Sequence, residues 1–199
     1  IAMARTIADL GGTLAYYVRV VGLLKRDGMV SGVEVCDAET GEEDEIEAKV
    51  VINATGPWSD GLRKMDNPDS PGMMRPSQGV HIVLDREFLP GDSAIMVPHT
   101  DDGRVLFAIP WHGRVIIGTT DTPIDEVSLE PVPQAREIEF LLEHAARYLT
   151  KDPRPEDVRS VFAGIRPLVG DPEQADSAAI SRDHTLHVSA TGLVTIAGG

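Results

Sequence analysis

From Pro76 to Gly118 the chain holds four apolar segments separated only by short turn signals. The segments are Val80–Leu84, Ala94–Pro98, Arg104–Pro110 and Arg114–Gly118. The turns are Pro90-Gly91, Asp101-Asp102-Gly103 and His112-Gly113. Connections this short join antiparallel neighbours, because a parallel pair needs a crossover of a dozen residues or more. The middle of the chain is therefore predicted to be an antiparallel sheet.

The flanks extend that reading. Ile1 to Leu10 reads as the end of a helix stopped by Gly11-Gly12. Three strand signals follow: Thr13 to Lys25, Val30 to Asp37 and Glu45 to Asn53, with Asp27-Gly28 as a hairpin turn. In the second strand Val33 and Val35 share one face and Glu34 and Cys36 the other. Asn53-Ala54-Thr55-Gly56-Pro57-Trp58 then leads into a helical stretch to about Met65, with Pro57 suited to a first helical position. Gln134 to Leu149 carries an apolar stripe at helical spacing (Ile138, Leu141, Leu142, Ala145, Ala146, Leu149), although its start offers no strong cap residue. Val158 to Val169 returns as a strand. Ala178 to Asp183, Leu186 to Val188 and Leu193 to Ala197 read as short strands.

The expected class is α+β, in three parts. Residues 1–72 form a β-meander and an apolar strand. Residues 73–157 form the antiparallel sheet with its covering helix. Residues 158–199 return to the first part. A chain that leaves one sheet, builds another and comes back is expected to create a cleft between them, a favoured ligand site.

Charge and composition narrow the function. The 199 residues carry 18 Lys plus Arg against 32 Asp plus Glu, a net charge of −14. Such a surface repels nucleic-acid phosphates and anionic lipid, so an anion must be held by local cations against the overall field. The single cysteine, Cys36, excludes an internal disulfide and fits a reducing compartment. It reads as a small apolar filler in a strand rather than a nucleophile. No apolar run approaches the ~20 residues of a membrane span, and no signal-peptide pattern is present. The chain enters at Ile1 directly on a helix and stops at Gly198-Gly199 just after an apolar run, so both ends read as internal to a longer protein.

The six histidines lack the His-x-x-x-His spacing of a metal site. His99, His112 and His144 are expected at solvent-exposed positions. His184 and His187 would point to opposite faces of a strand. No metal site is expected. Neither Gly-x-Gly-x-x-Gly nor a Walker loop is present, and there is no Gly-x-Ser-x-Gly elbow. Two arginines stand out: Arg166 in Gly164-Ile165-Arg166-Pro167-Leu168, and Arg182 in Ser181-Arg182-Asp183-His184. A cation amid apolar residues needs a partner or a ligand anion. The plain partners are Asp171 for Arg166 and Asp183 for Arg182. Two such arginines near strand ends also suit bidentate binding of phosphate or carboxylate.

Four segments together carry a resemblance. They are Asn53-Ala54-Thr55-Gly56-Pro57-Trp58, Arg75-Pro76-Ser77-Gln78-Gly79-Val80-His81-Ile82-Val83, Ile109-Pro110-Trp111 with Ile117-Gly118-Thr119-Thr120-Asp121, and Gly164–Leu168 with Ser181–His184. In order and spacing they resemble the FAD-dependent glycerol-3-phosphate dehydrogenase family, within the D-amino-acid-oxidase-like flavoproteins. The resemblance covers nearly the whole chain and implies an internal fragment.

It implies that residues 1–72 and 158–199 belong to a Rossmann-like FAD-binding domain and that the middle sheet is a substrate cap. Val18, Ala54, Gly56, Trp58, Gly198 and Gly199 would lie along FAD. Gly56 would allow close backbone approach, and Trp58 would cover the cofactor. His81 would accept the proton, Arg166 would stabilise the developing alkoxide, and Arg182 would hold the substrate phosphate, with the two arginines open to exchange of roles. Gln78 stands where many relatives have lysine, which would leave the substrate rim less basic.

The implied reaction converts sn-glycerol 3-phosphate to dihydroxyacetone phosphate, with electrons passed on to a quinone or another acceptor. The implied location is cytoplasmic, peripheral at the membrane in the full-length protein. Two alternatives stay open: a sister FAD-dependent amine or amino-acid oxidase, and a non-catalytic domain that binds an anionic metabolite.

Overall fold

A computed structural model describes residues 1–98, 100–101, 103–170 and 183–198. The chain divides into two compact units. One comprises Ile1–Ala54, Gly61–Ser70 and Leu186–Ile196; the other comprises Thr55–Asp60, Pro71–Thr185 and Ala197–Gly199.

The first unit opens with helix α1 (Ala2–Asp9) and an antiparallel meander of β1 (Val18–Arg26), β2 (Met29–Asp37) and β3 (Glu43–Glu47), in that order across the sheet. The β1–β2 turn falls on Asp27 and Gly28, both at positive φ (53° and 78°). That is the twist a two-residue hairpin requires. Strand β4 (Ile52–Asn53) leads to a single 3₁₀ turn at Gly56–Trp58 and to α2 (Ser59–Asp66). The apolar centre of this unit is small: Val30, Val51 and Leu193, with Leu23 and Val33 against them.

The second unit is built on a six-stranded sheet. Its strands are β5 (Ser77–Asp85), β6 (Ile95–Val97), β7 (Leu106–Trp111), β8 (Arg114–Gly118), β9 (Thr122–Pro123) and, after helix α3 (Ala135–Ala146), β10 (Ser160–Arg166). The order is β10-β5-β8-β7-β6, with β9 also paired to β5. The last two strands, β11 (His184–Val188) and β12 (Val194–Gly198), form a three-stranded sheet in the order β11-β12-β4, with β12 parallel to β4. No described helix is long and apolar enough to cross a membrane.

Alternation along the strands divides the large sheet into two faces. One face packs under α3. Val80, Ile82, Leu84, Val115 and Ile117 are fully buried there, together with Leu106, Ala108 and Val97, against Leu141, Leu142 and Ala145 of the helix. Each such side chain contributes roughly 1.5–3 kcal/mol when fully buried. The other face carries Met96, Phe107, Ile109, Trp111 and Phe162, all exposed.

Several expectations need correction. Val158–Val169 was assigned to the returning part beyond residue 157. Instead β10 pairs with β5 over all seven of its residues, from Ser160↔Val83 to Arg166↔Ser77. Apolar alternation marks a strand, but it does not say which sheet accepts it. Strand β9 went unpredicted, because two residues carry no period. The start of α3 does have a cap: the Glu137 carboxylate accepts the Gln134 backbone N–H at 2.9 Å, as in a capping box. His144 is buried rather than exposed, with Nδ1 2.9 Å from the Phe140 carbonyl and Nε2 facing Asp101. The strand expected at Ala178–Asp183 falls almost wholly outside the described residues, as does His99.

Candidate active site on the open face of the sheet

His81 occupies the open face because β5 alternates: Val80 and Ile82 point under α3, and His81 between them points away. Its position on that face requires the residue opposite to be glycine. Gly118 pairs with His81 across β5–β8, and a Cβ on Gly118 would fall 2.1 Å from the imidazole Cδ2. On the other side, β10 places Phe162 opposite His81. The two rings stack with centroids 4.9 Å apart and planes 5° from parallel. The imidazole is thus half-buried, and burial, followed by the positive charge of Arg166, holds its pKa below the ordinary 6.5. A histidine shifted this way is neutral at physiological pH and able to accept a proton.

Arg166 ends β10 on the same face. Its guanidinium lies over Gly79, where a Cβ would meet Nη2 at 2.5 Å and Cζ at 2.7 Å. Nη1 donates to the Thr120 carbonyl at 3.1 Å and Nη2 to the Thr119 hydroxyl at 2.9 Å. Asp121 Oδ1 stands 3.5 Å from Nη1 and accepts a hydrogen bond from the Ser77 hydroxyl. The expected neighbour, Asp171, lies outside the described residues. The partner the fold supplies is Asp121, brought in by the β8–β9 segment. A cleft of about 420 Å³ opens beside the guanidinium, lined among others by Met96, Arg104, Phe107, Thr119 and Asp121. His81 is not part of that lining.

Gln78 does not face the rim where the resemblance put it. It lies three residues before His81 in β5, on the opposite face, so it points under α3, buried. It donates to Glu137 Oε2 at 2.8 Å and to the Val132 carbonyl at 3.1 Å. Its identity therefore bears on the packing beneath the sheet and not on the charge above it.

The residues assigned to FAD fall at strand ends and exposed backbone. Val18 opens β1 and is exposed, and Ala54, just after β4, is exposed too. The parallel strands β4 and β12 each lead out to a glycine at positive φ, Gly56 (59°) and Gly198 (89°). No atom lies within 4 Å of where a Cβ on Gly56 would sit, and Trp58 exposes its indole nearby in sequence. The open backbone at Gly56 fits close approach of a dinucleotide, whereas Gly198 is covered by the Asp183 carbonyl and Val169. Arg182 and Gly199 lie outside the described residues.

Two groups escaped the sequence reading. Thr119–Asp121 hold the arginine, a role that no local pattern in the sequence marks. Glu137 was passed over inside a helix stripe. Its signal was a glutamate three residues after Gln134, directly ahead of an apolar run.

A sequence model of the family described as "FAD dependent oxidoreductase" (DAO) matches residues 1–199. Glycerol-3-phosphate dehydrogenase, mitochondrial, from Homo sapiens is 45% identical over 207 residues, covering 100% of this chain and 28% of the human protein. The Schizosaccharomyces pombe protein of the same name is 40% identical, covering 99% of this chain and 33% of its own length. The chain thus spans about a third or less of these relatives. Among solved structures, the glycerol-3-phosphate dehydrogenase from Bacillus halodurans complexed with FAD superposes with a TM-score of 0.82 at 34% identity, over 96% of this chain and 36% of that one. Glycine oxidase from Bacillus cereus shares the fold, with a TM-score of 0.67 at 21% identity over 99% of this chain and 47% of that one.

Proposed function

The chain belongs to the FAD dependent oxidoreductase family, and from that premise we propose that it carries the substrate-facing sheet of an enzyme oxidising sn-glycerol 3-phosphate to dihydroxyacetone phosphate. The observation that carries the reading is a neutral imidazole and a fixed guanidinium on one open sheet face, each seated over a glycine. The names of the relatives at 40–45% identity supply the substrate.

FAD, when bound, supplies the acceptor for the hydride that leaves carbon. The chain's own residues handle the rest. His81 takes the proton of the secondary hydroxyl at an imidazole nitrogen, with its depressed pKa keeping the base form present at neutral pH. Arg166 steadies the negative charge growing on the substrate oxygen, its orientation fixed by Thr119, Thr120 and Asp121. Arg182 is assigned the phosphate, as a bidentate partner. Val18, Ala54, Gly56, Trp58, Gly198 and Gly199 would lie along the cofactor. Electrons then pass to a quinone or another acceptor, and the enzyme sits on the cytoplasmic side, peripheral to the membrane.

The test is an assay of the full-length, FAD-loaded protein on glycerol 3-phosphate, with an artificial dye and with oxygen as acceptors. Reduction of the dye at the expense of glycerol 3-phosphate is expected. Oxidation of glycine or sarcosine with none of glycerol 3-phosphate would overturn the reading in favour of a sister oxidase. A protein without a flavin absorption band would overturn it in favour of a binding domain. The Arg182→Ala variant should mainly raise KM for the phosphorylated substrate, and an unchanged KM would remove the phosphate role.

A further inference from the structure

One buried charge beneath the site has no part in the chemistry above. Glu137, in the first turn of α3, is 3% exposed. Its Oε1 accepts from the hydroxyls of Thr120 at 3.1 Å and Thr122 at 2.7 Å. Its Oε2 accepts from the side-chain amide of Gln78 at 2.8 Å and the backbone N–H of Gln134 at 2.9 Å. Burial alone would raise the pKa of this carboxyl, but these four donors outweigh it and hold the group below its ordinary value. A helix cap needs only the Gln134 bond. The other three donors come from β5 (Gln78), from the segment that joins β8 to β9 (Thr120) and from the start of β9 (Thr122).

That segment is also what holds Arg166. The Thr119 hydroxyl, the Thr120 carbonyl and the Asp121 carboxylate face the guanidinium as acceptors. Thr120 belongs to both sets: its hydroxyl donates to Glu137 and accepts the Val80 backbone N–H at 2.9 Å, while its carbonyl accepts from Arg166. Residues 119–122 are thus gripped by Glu137 from the helix side and by Arg166 from the open face.

We infer that Glu137 is a positioning residue: by anchoring Thr120 and Thr122 it fixes the guanidinium of Arg166 over Gly79, and so sets the affinity of the site for its anion. The inference rests on the reading of Arg166 as a substrate-facing cation, whose charge draws the substrate phosphate into the site as well as steadying the reacting oxygen. Glutamine at 137 keeps the shape but is uncharged and presents an NH₂ where one oxygen stood, so either the Gln78 and Gln134 donors lose their acceptor or the Thr120 and Thr122 hydroxyls must turn to accept, and the charge-assisted hold on residues 120–122 is lost. The segment must then shift, and Arg166 with it.

The test uses the full-length, FAD-loaded protein as wild type, Glu137→Gln, Arg166→Lys and the double variant. Inorganic phosphate is titrated against the flavin absorption band, and KM and kcat are measured with glycerol 3-phosphate. Glu137→Gln should raise the phosphate Kd and the KM roughly tenfold, the scale of one charge-assisted hydrogen bond, with a smaller change in kcat. The rise should vanish in the Arg166→Lys background, because positions that act through one group are not additive. A lowered Tm with unchanged Kd and KM would overturn the inference and leave Glu137 as a helix cap. So would the same fold-change in the Arg166→Lys background.

If Glu137→Gln does not fold, Thr122→Val removes one donor alone and should give a smaller rise in Kd; no rise overturns the inference. Wild type that binds phosphate without oxidising glycerol 3-phosphate would sink the proposed activity and leave the phosphate test of Glu137 standing. Phosphate affinity indifferent to Arg166→Lys would overturn this inference.

Discussion

The two sides of β5 differ in almost everything except backbone. Toward α3 it sends Gln78, Val80, Ile82 and Leu84, all buried and all matched by neighbours. Away from α3 it sends Gly79, His81 and Val83, among exposed apolar side chains and the guanidinium of Arg166. One strand thus holds the sheet together with its even positions and presents chemistry with its odd ones. A period of two lets a single segment do both, because neighbouring residues never compete for the same side.

Because of that division, substitutions on the two faces should fail in different ways. The largest loss is expected from His81→Ala: kcat on glycerol 3-phosphate should fall about 10²- to 10⁴-fold, the scale of general-base catalysis, with Tm nearly unchanged. A kcat within a few-fold of wild type would break the assignment. Next is Ile82→Ala, one residue along. Ile82 is fully buried and pairs with Ile117 and Val161, so the cavity should cost about 2–5 kcal/mol in denaturant unfolding. The kcat of the folded fraction should stay close to wild type. Loss of turnover without loss of stability would show that the faces are not separable.

A smaller effect sharpens the comparison further. Gly118→Ala adds a methyl group where the imidazole now lies, 2.1 Å from Cδ2. Backbone on both strands is held by the ladder, so the ring must turn away. Misplacement on the ångström scale costs about 10²-fold in rate, and kcat should fall by that factor with little change in the Kd for phosphate. An unchanged kcat would mean that the position of His81 over Gly118 is not used.

How much of this was legible in the sequence varies with the distance over which each cause acts. The antiparallel sheet, the α3 stripe and the direction of His81 follow from local period and turn residues, and the sequence carries them. The partner of Arg166 does not. The nearest acid in the sequence, five residues away, was the natural choice, whereas Asp121 is 45 residues upstream and arrives only because β10 returns beside β5. Gln78 shows the opposite failure: alternation with His81 already places it on the covered face, but the family resemblance pulled it to the rim. Glu137 lay between the two cases. Its capping pattern was local and readable, yet its bonds to Thr120, Thr122 and Gln78 depend on strands far along the chain.

The smallest expected effect concerns what keeps His81 a base. Phe162 covers one side of the imidazole in a parallel stack while remaining partly exposed itself. Burial is the leading cause of the lowered pKa and Arg166 the second. Phe162→Leu keeps an apolar side chain on β10 but uncovers part of the ring and removes an aromatic pair worth about 0.5–1.5 kcal/mol. Water then solvates the imidazolium better, and the pKa rises toward 6.5. Because His81 must be neutral to accept a proton, kcat/KM climbs as pH rises through that pKa. In wild type the climb should be centred below 6.5, the ordinary histidine value; in Phe162→Leu its centre should move upward, toward that value. The plateau above pH 7.5 should be unaltered. A limb that stays in place would assign the shift to Arg166 alone, and Arg166→Lys, which keeps the charge, would then leave it in place as well.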